Sequence, residues 1–305
     1  MNDHHHHAPT RFGRAFALGV ALNLIFVGVE AFYGWKSGSL ALLADAGHNL
    51  SDVGGLLLAW AAYAAAKLKP NDTHTFSWRK GSIIVSFLNA LILLVAMGSL
   101  GWEAIGRLQS PSVVDSQVVI IVAAIGIVIN SMTAWLFASG SKHDLNIRGA
   151  FIHMAADALV SLGVVIAGLL TLWQGWTWVD PVTSILISLV IILGTLSLFR
   201  QSLHLLFDGV PRGIELSSVA ETLKKIPGVI TLHDLHIWGT STTEIALSAH
   251  IVVDVREHNS DEILKKAIVL LEEKFNIEHI TLQIESPAFA EHCELNDLLN
   301  ERSEK

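Results

Sequence analysis

Six apolar runs, each long enough to cross a bilayer at roughly 20 residues per crossing, dominate the first two thirds of the chain: residues 15–35, 40–66, 81–100, 116–139, 145–172 and 178–199. They predict six transmembrane helices with both termini on one side. No cleavage site of small residues follows a short apolar core, so the first run reads as a span and not as a signal peptide. The pattern changes at Asp208-Gly209-Val210-Pro211, which breaks the last helix. Beyond it, residues 217–226 predict an amphipathic helix ended by Pro227-Gly228, 231–238 and 244–253 two strands, 261–275 a second helix capped by Asn259 or Ser260, and 280–285 a last strand.

The expected fold class is therefore an α-helical membrane protein of six transmembrane helices followed by a small α+β domain. Its order αββαβ, ferredoxin-like or metallochaperone-like, suggests an open sheet with helices on one face. The domains are read as a histidine-containing cytoplasmic tail (1–11), a membrane domain (12–207), a cytoplasmic α+β domain (208–290) and a C-terminal tail (291–305).

Composition agrees with a polytopic membrane protein: 51% of the 305 residues are hydrophobic and only 16% charged. The net charge of −8 falls after residue 210, where Asp and Glu outnumber Lys and Arg, which excludes a nucleic-acid partner. Arg11, Arg14, Lys67, Lys69, Arg79, Lys80, Lys142, Arg148, Arg200 and Arg212 lie on the side of the termini, with Lys36 and Arg107 opposite, so both termini are expected in the cytoplasm. Trp173, Trp176 and Trp178 belong to an aromatic belt at the outer surface. The single cysteine, Cys293, excludes an intramolecular disulfide framework and is at most a thiol ligand or else an incidental residue. The run His4 to His7 reads either as a metal-collecting tail or as the remnant of a tag.

Two apolar helices carry ionisable pairs. His48 and Asp52, and again His153 and Asp157, are four residues apart, which puts each pair on one helix face with Cβ atoms roughly 5–6 Å from each other. A carboxylate at mid-bilayer costs on the order of 2.5–3.5 kcal/mol even on insertion scales, so two such pairs need a partner. Two imidazoles and two carboxylates suit tetrahedral Zn2+, and two ionised Asp with two neutral His offset one divalent charge. The bland alternative is hydrogen-bond glue between helices. Asp45 reaches the same face as a spare ligand, a carboxylate at the mouth or an acceptor behind the ligands. Asn23, Glu30, Asn49, Asn89, Glu103 and Asn130 line a wet cavity or pair helices, with Glu30 the residue to test for proton handling. Small residues around the pairs, Gly54, Gly55 and Ala59 on one helix and Ala155, Ala156, Ala158 and Gly163 on the other, favour close backbone approach.

The stretch Ser39-Leu40-Ala41-Leu42-Leu43-Ala44-Asp45-Ala46-Gly47-His48-Asn49-Leu50-Ser51-Asp52, the His153/Asp157 pair, Asp180-Pro181, the six-helix plan and the αββαβ tail resemble the cation diffusion facilitators over roughly residues 12–290. The resemblance implies a bacterial-type, homodimeric zinc/proton antiporter whose transport site is His48, Asp52, His153 and Asp157. Histidine rather than aspartate at the first position is associated in that family with zinc over cadmium. Asp72 and His74 match a loop where some relatives bind a second ion, although Trp78 stands where some have histidine. His233, His250 and Glu285 match a cytoplasmic zinc site, with His236, His279, His292 and Cys293 as extra ligands and Gln283 in place of another. Lys80 and Asp208 resemble charges that hold protomers together.

The function expected is export of Zn2+, or another divalent transition metal, from the cytoplasm across a bacterial inner membrane in exchange for protons by alternating access. The resemblance implies that Zn2+ also serves as a regulator on the tail. The alternatives are a membrane metal sensor and an intramembrane metalloenzyme. The first finds no kinase-like or DNA-binding module after residue 290, and the second lacks His-Glu-x-x-His or a general base beside an open coordination position.

Overall fold

The computed structural model describes residues 13–66, 68–110, 112–138, 145–254 and 259–290. The His4–His7 run, Lys67, Lys142, His292, Cys293 and the tail from residue 291 lie outside the described residues. Six long helices come first: α1 (Gly13–Ser37), α2 (Leu40–Ala66), α3 (Gly81–Gln109), α4 (Ser116–Ala138), α5 (Leu145–Gln174) and α6 (Val179–Leu206). Among the described residues four stretches, within α3, α4, α5 and α6, are long and apolar enough to cross a membrane. α3 runs nine residues past its expected end at Leu100, and the Glu103–Arg107 pair at 2.6 Å, four residues apart, supports the added turns.

The chain packs as two compact units, one through Leu58 and from Leu88 to Leu198, the other from Ala59 to Phe87 and from Phe199 onward. In the helical unit all six helices send residues into one core, among them Phe26, Leu42, Met97, Val122, Val164 and Ile191. Large apolar side chains also face outward, including Ile25, Ile92, Val95, Trp135, Val190 and Leu193. Contiguous apolar surface of that extent is unfavourable in water and favourable in lipid.

The second unit contains α7 (Leu216–Lys224), β1 (Val229–Gly239), β2 (Ile245–Val253), α8 (Ser260–Phe275), β3 (His279–Glu285) and the short α9 (Pro287–Ala290). The sheet order is β1-β2-β3, antiparallel between β1 and β2 and parallel between β2 and β3. Asn259 is the N-cap of α8, its Oδ1 accepting from Asp261 N at 3.0 Å. Leu232, Leu247, Ala249, Ile251 and Val253 form one core with Val219, Leu223, Ile263 and Leu271 of the helices. The strand residues between them, His250 among these, therefore point to the other face.

Lys80 and Asp208, matched by resemblance to charges between protomers, pair within this chain at 2.7 Å. Arg79 likewise pairs with Glu244 at 3.1 Å, and Thr242 N donates to Ser82 Oγ at 3.1 Å.

Candidate functional site

The rotation of α2 is set at its start. α1 ends at Ser37, and Gly38 takes a φ of 71°, a left-handed value that glycine adopts without a Cβ clash. Ser39 caps α2 by accepting from Leu42 N at 3.2 Å. Asp180, in the first turn of α6, accepts from Leu40 N at 3.0 Å and from the Ser39 hydroxyl. That places a carboxylate against the positive end of the α2 dipole. Arg107 on α3 donates to the Gly38 carbonyl. With its first turn tied to α3 and α6, α2 has a defined face two to three turns later, where His48 and Asp52 stand.

There they meet His153 and Asp157 of α5. Asp52 Oδ2 lies 3.0 Å from His153 Nε2 and 3.5 Å from His48 Nε2. Asp157 completes the ring, with Oδ1 3.8 Å from His48 Nε2 and Oδ2 3.7 Å from His153 Nε2. Donors at neighbouring corners of a tetrahedron with bonds of about 2.0–2.2 Å stand about 3.3–3.6 Å apart; the four His–Asp spacings of 3.0–3.8 Å bracket that value, while the donors that all lie within 4.8 Å of one another are those of His48, His153 and Asp157. Asp157 is buried, and its Oδ2 has no hydrogen-bond partner. The four side chains border a cavity of about 480 Å³ whose other walls include Asn89 and Leu93 of α3 and Ile187 and Ile191 of α6. Gly55 admits α3 closely: a Cβ there would lie 2.8 Å from Asn89 Nδ2.

Asp45 is not at this meeting point. It is wholly buried and accepts from Ser161 Oγ at 3.0 Å, while Glu30 accepts from Asn49 Nδ2 at 3.4 Å. Asn23 and Asn130 are buried too, and Glu103 pairs with Arg107 at an exposed position. Sequence reading found Glu30 and Asp45 singly but missed Ser161, because a serine in an apolar helix carries no signal of what it faces.

A second cluster forms in the sheet. His233 on β1 and His250 on β2 are direct cross-strand partners, and Glu285 on β3 lies diagonally, two residues beyond the partner of His250. Glu285 touches both, with Oε2 2.9 Å from His233 Nε2 and Oε1 2.9 Å from His250 Nδ1. Gln283 donates to Glu285 Oε1 at 2.7 Å and so supports the carboxylate. The register shifts between His233 and His236, where Asp234 takes a φ of 52°. That bulge turns the Asp234 carboxylate to 2.7 Å from His236 and 3.7 Å from His250. Asp234 was missed in the sequence, since nothing in the strand pattern announces a bulge. His279 packs edge-on against Phe76 at 5.0 Å.

The loop residues are otherwise engaged. His74 stacks on Trp78 at 4.4 Å with its Nδ1 3.0 Å from Thr73 Oγ1, and Asn71 Oδ1 accepts from Thr73 N and His74 N. Among the described residues the groups of three or more ligand-bearing side chains are His48/His153/Asp157 and His233/His250/Glu285, so Asp72 and His74 gain no third donor.

Comparison with known proteins matches the long-helix segment and the α+β segment separately. Residues 16–207 match the cation efflux transmembrane domain and residues 211–287 the cation efflux protein cytoplasmic domain. The chain is 36% identical to the cadmium, cobalt and zinc/H(+)-K(+) antiporter of Bacillus subtilis over 264 residues, 85% of each chain. It is 35% identical to the zinc transporter ZitB of Escherichia coli over 285 residues, 92% of this chain and 90% of that one. With the metal cation efflux system protein CzcD of Cupriavidus metallidurans it shares 34% over 282 residues, 92% of this chain and 89% of that one. The chain belongs to the cation efflux family, the cation diffusion facilitators, and is a membrane transporter rather than an enzyme.

Proposed function

We propose that the protein exports Zn2+ from the cytoplasm in exchange for protons, as a homodimer in the bacterial inner membrane, with α1–α6 as six spans and both termini cytoplasmic. The His–Asp spacings of 3.0–3.8 Å among His48, Asp52, His153 and Asp157 carry the reading. The names of the zinc-transporting relatives and the match to the family's cytoplasmic domain support cargo and assembly.

Four protein donors leave no open position for a reacting water, which favours carriage over chemistry. Zinc binds to neutral imidazoles and ionised carboxylates, so binding expels protons and acid weakens it. Alternating access then takes zinc outward and returns protons inward on the same side chains. His233, His250 and Glu285 form a cytoplasmic zinc site in this reading, where the metal replaces the hydrogen bonds that Glu285 makes and reports the cytosolic zinc level. Zinc uptake into proteoliposomes under an imposed pH gradient tests the exchange. Uptake is expected to follow the gradient and to vanish with His153→Ala; flux indifferent to pH, or a His153→Ala protein transporting at the normal rate, overturns it.

A further inference from the structure

Glu30 on α1 and Asp45 on α2 are each 0% exposed, and neither belongs to the four-residue centre. Each has one oxygen satisfied, Glu30 Oε2 by Asn49 and Asp45 Oδ2 by Ser161. The other oxygens, Glu30 Oε1 and Asp45 Oδ1, are buried and have no hydrogen-bond donor. Asp45 and Asn49, four residues apart, share one face of α2, and Asn49 holds the Glu30 carboxylate against that face. Ionised carboxylates only accept, and two of them buried on one face, each with an oxygen that no donor satisfies, are most stable together when one is protonated.

The walls are tight. A Cβ on Gly126 of α4 would come within 2.8 Å of the Phe26 ring of α1 and 3.2 Å of Ser161 Oγ of α5. The titratable groups facing the pair are His48 from α2 and Asp157 from α5. The pair is also tied to the metal centre through the helices. Asp45 is three residues before His48, Asn49 follows His48 directly, and Ser161 is one turn after Asp157.

We propose that Glu30 and Asp45 form a proton site distinct from the metal ligands, a carboxylic acid–carboxylate pair that takes up one of the protons exchanged for each metal ion. The step is a proton transfer alone: one proton joins a carboxylate oxygen when the metal leaves, and departs when it binds. A divalent charge at the neighbouring centre repels the shared proton, and its departure restores the affinity, so the two occupancies oppose each other. Such opposition is what obligatory exchange requires. The proposal rests on the reading of His48, Asp52, His153 and Asp157 as the transport site.

The test is Glu30→Gln in proteoliposomes, because the amide keeps an acceptor for Asn49, offers a donor to Asp45 and cannot titrate. Three quantities are read: zinc binding by calorimetry, zinc counterflow without a pH gradient, and protons moved per zinc from an entrapped pH dye. Glu30→Gln is expected to keep zinc affinity within about threefold and to sustain counterflow, while the proton count per zinc falls by about one. An unchanged proton count overturns the proposal. Asp45→Asn is made in parallel and has the same expected result; if neither variant sustains counterflow while both remain folded by circular dichroism, the pair belongs to the metal path and the proposal fails. Loss of the underlying reading shows separately, as normal zinc transport by His153→Ala in the same vesicles.

Discussion

His48, Asp52, His153 and Asp157 face one another across two helices at 3.0–3.8 Å around a cavity, whereas His233, His250 and Glu285 touch at 2.9 Å across three hydrogen-bonded strands. The first set comes as two rigid pairs, each fixed within its helix by the four-residue spacing and free to change its distance from the other pair when helices tilt. The second is locked by strand register: moving His233 against His250 means breaking a ladder. A centre that must release its ion suits the first construction, and a centre that holds one and reports its presence suits the second. Charge differs in the same sense. The helical set holds two carboxylates for its two imidazoles, while the sheet set holds Glu285 alone, with Asp234 3.7 Å from His250.

The strongest attack on this contrast is Asp157→Ala, which removes a buried carboxylate from the moving pair. Transport is expected to drop on the order of 100-fold, about 2.7 kcal/mol, in a zinc uptake assay. A smaller change is expected from His48→Asp, which exchanges a nitrogen donor for an oxygen one while keeping four ligands: transport persists and the zinc-to-cadmium preference shifts about tenfold, read by competitive uptake. Equal selectivity in that variant removes position 48 from the choice of metal. The mildest effect belongs to Glu285→Gln. Maximal zinc flux stays within about twofold of wild type, while calorimetry loses the cytoplasmic binding event and the zinc level at which transport activates shifts. If Glu285→Gln cuts maximal flux as deeply as Asp157→Ala, the division between carrying and sensing collapses.

The helical centre was legible because a helix repeats every 3.6 residues, so His-x-x-x-Asp states its own geometry and two copies in apolar helices state a shared one. The α+β element order was equally readable, down to the Asn259 cap. The sheet cluster was legible only as a resemblance. Histidines on strands have no local spacing that identifies them as neighbours, and Asp234 enters through a bulge that period-two alternation does not encode. Asp180 shows the same limit, for its place at the start of α2 joins residues 140 apart in the chain. Lys80 and Asp208 look alike whether they join protomers or close within one chain, and the fold pairs them within it.

By itself, then, the sequence determined the long apolar helices, the two His-x-x-x-Asp pairs within them and the class of the cytoplasmic domain, since each follows from local periodicity and the cost of charge in lipid. Tertiary structure alone decided which buried oxygens are left over. That Asp45 turns to Ser161, away from the meeting of His48, Asp52, His153 and Asp157, depends on how α1, α4 and α5 close around Gly126, a contact among residues far apart in sequence. Which carboxylates meet the histidines and which stand apart is a matter of distances of a few ångströms, and only packing sets those.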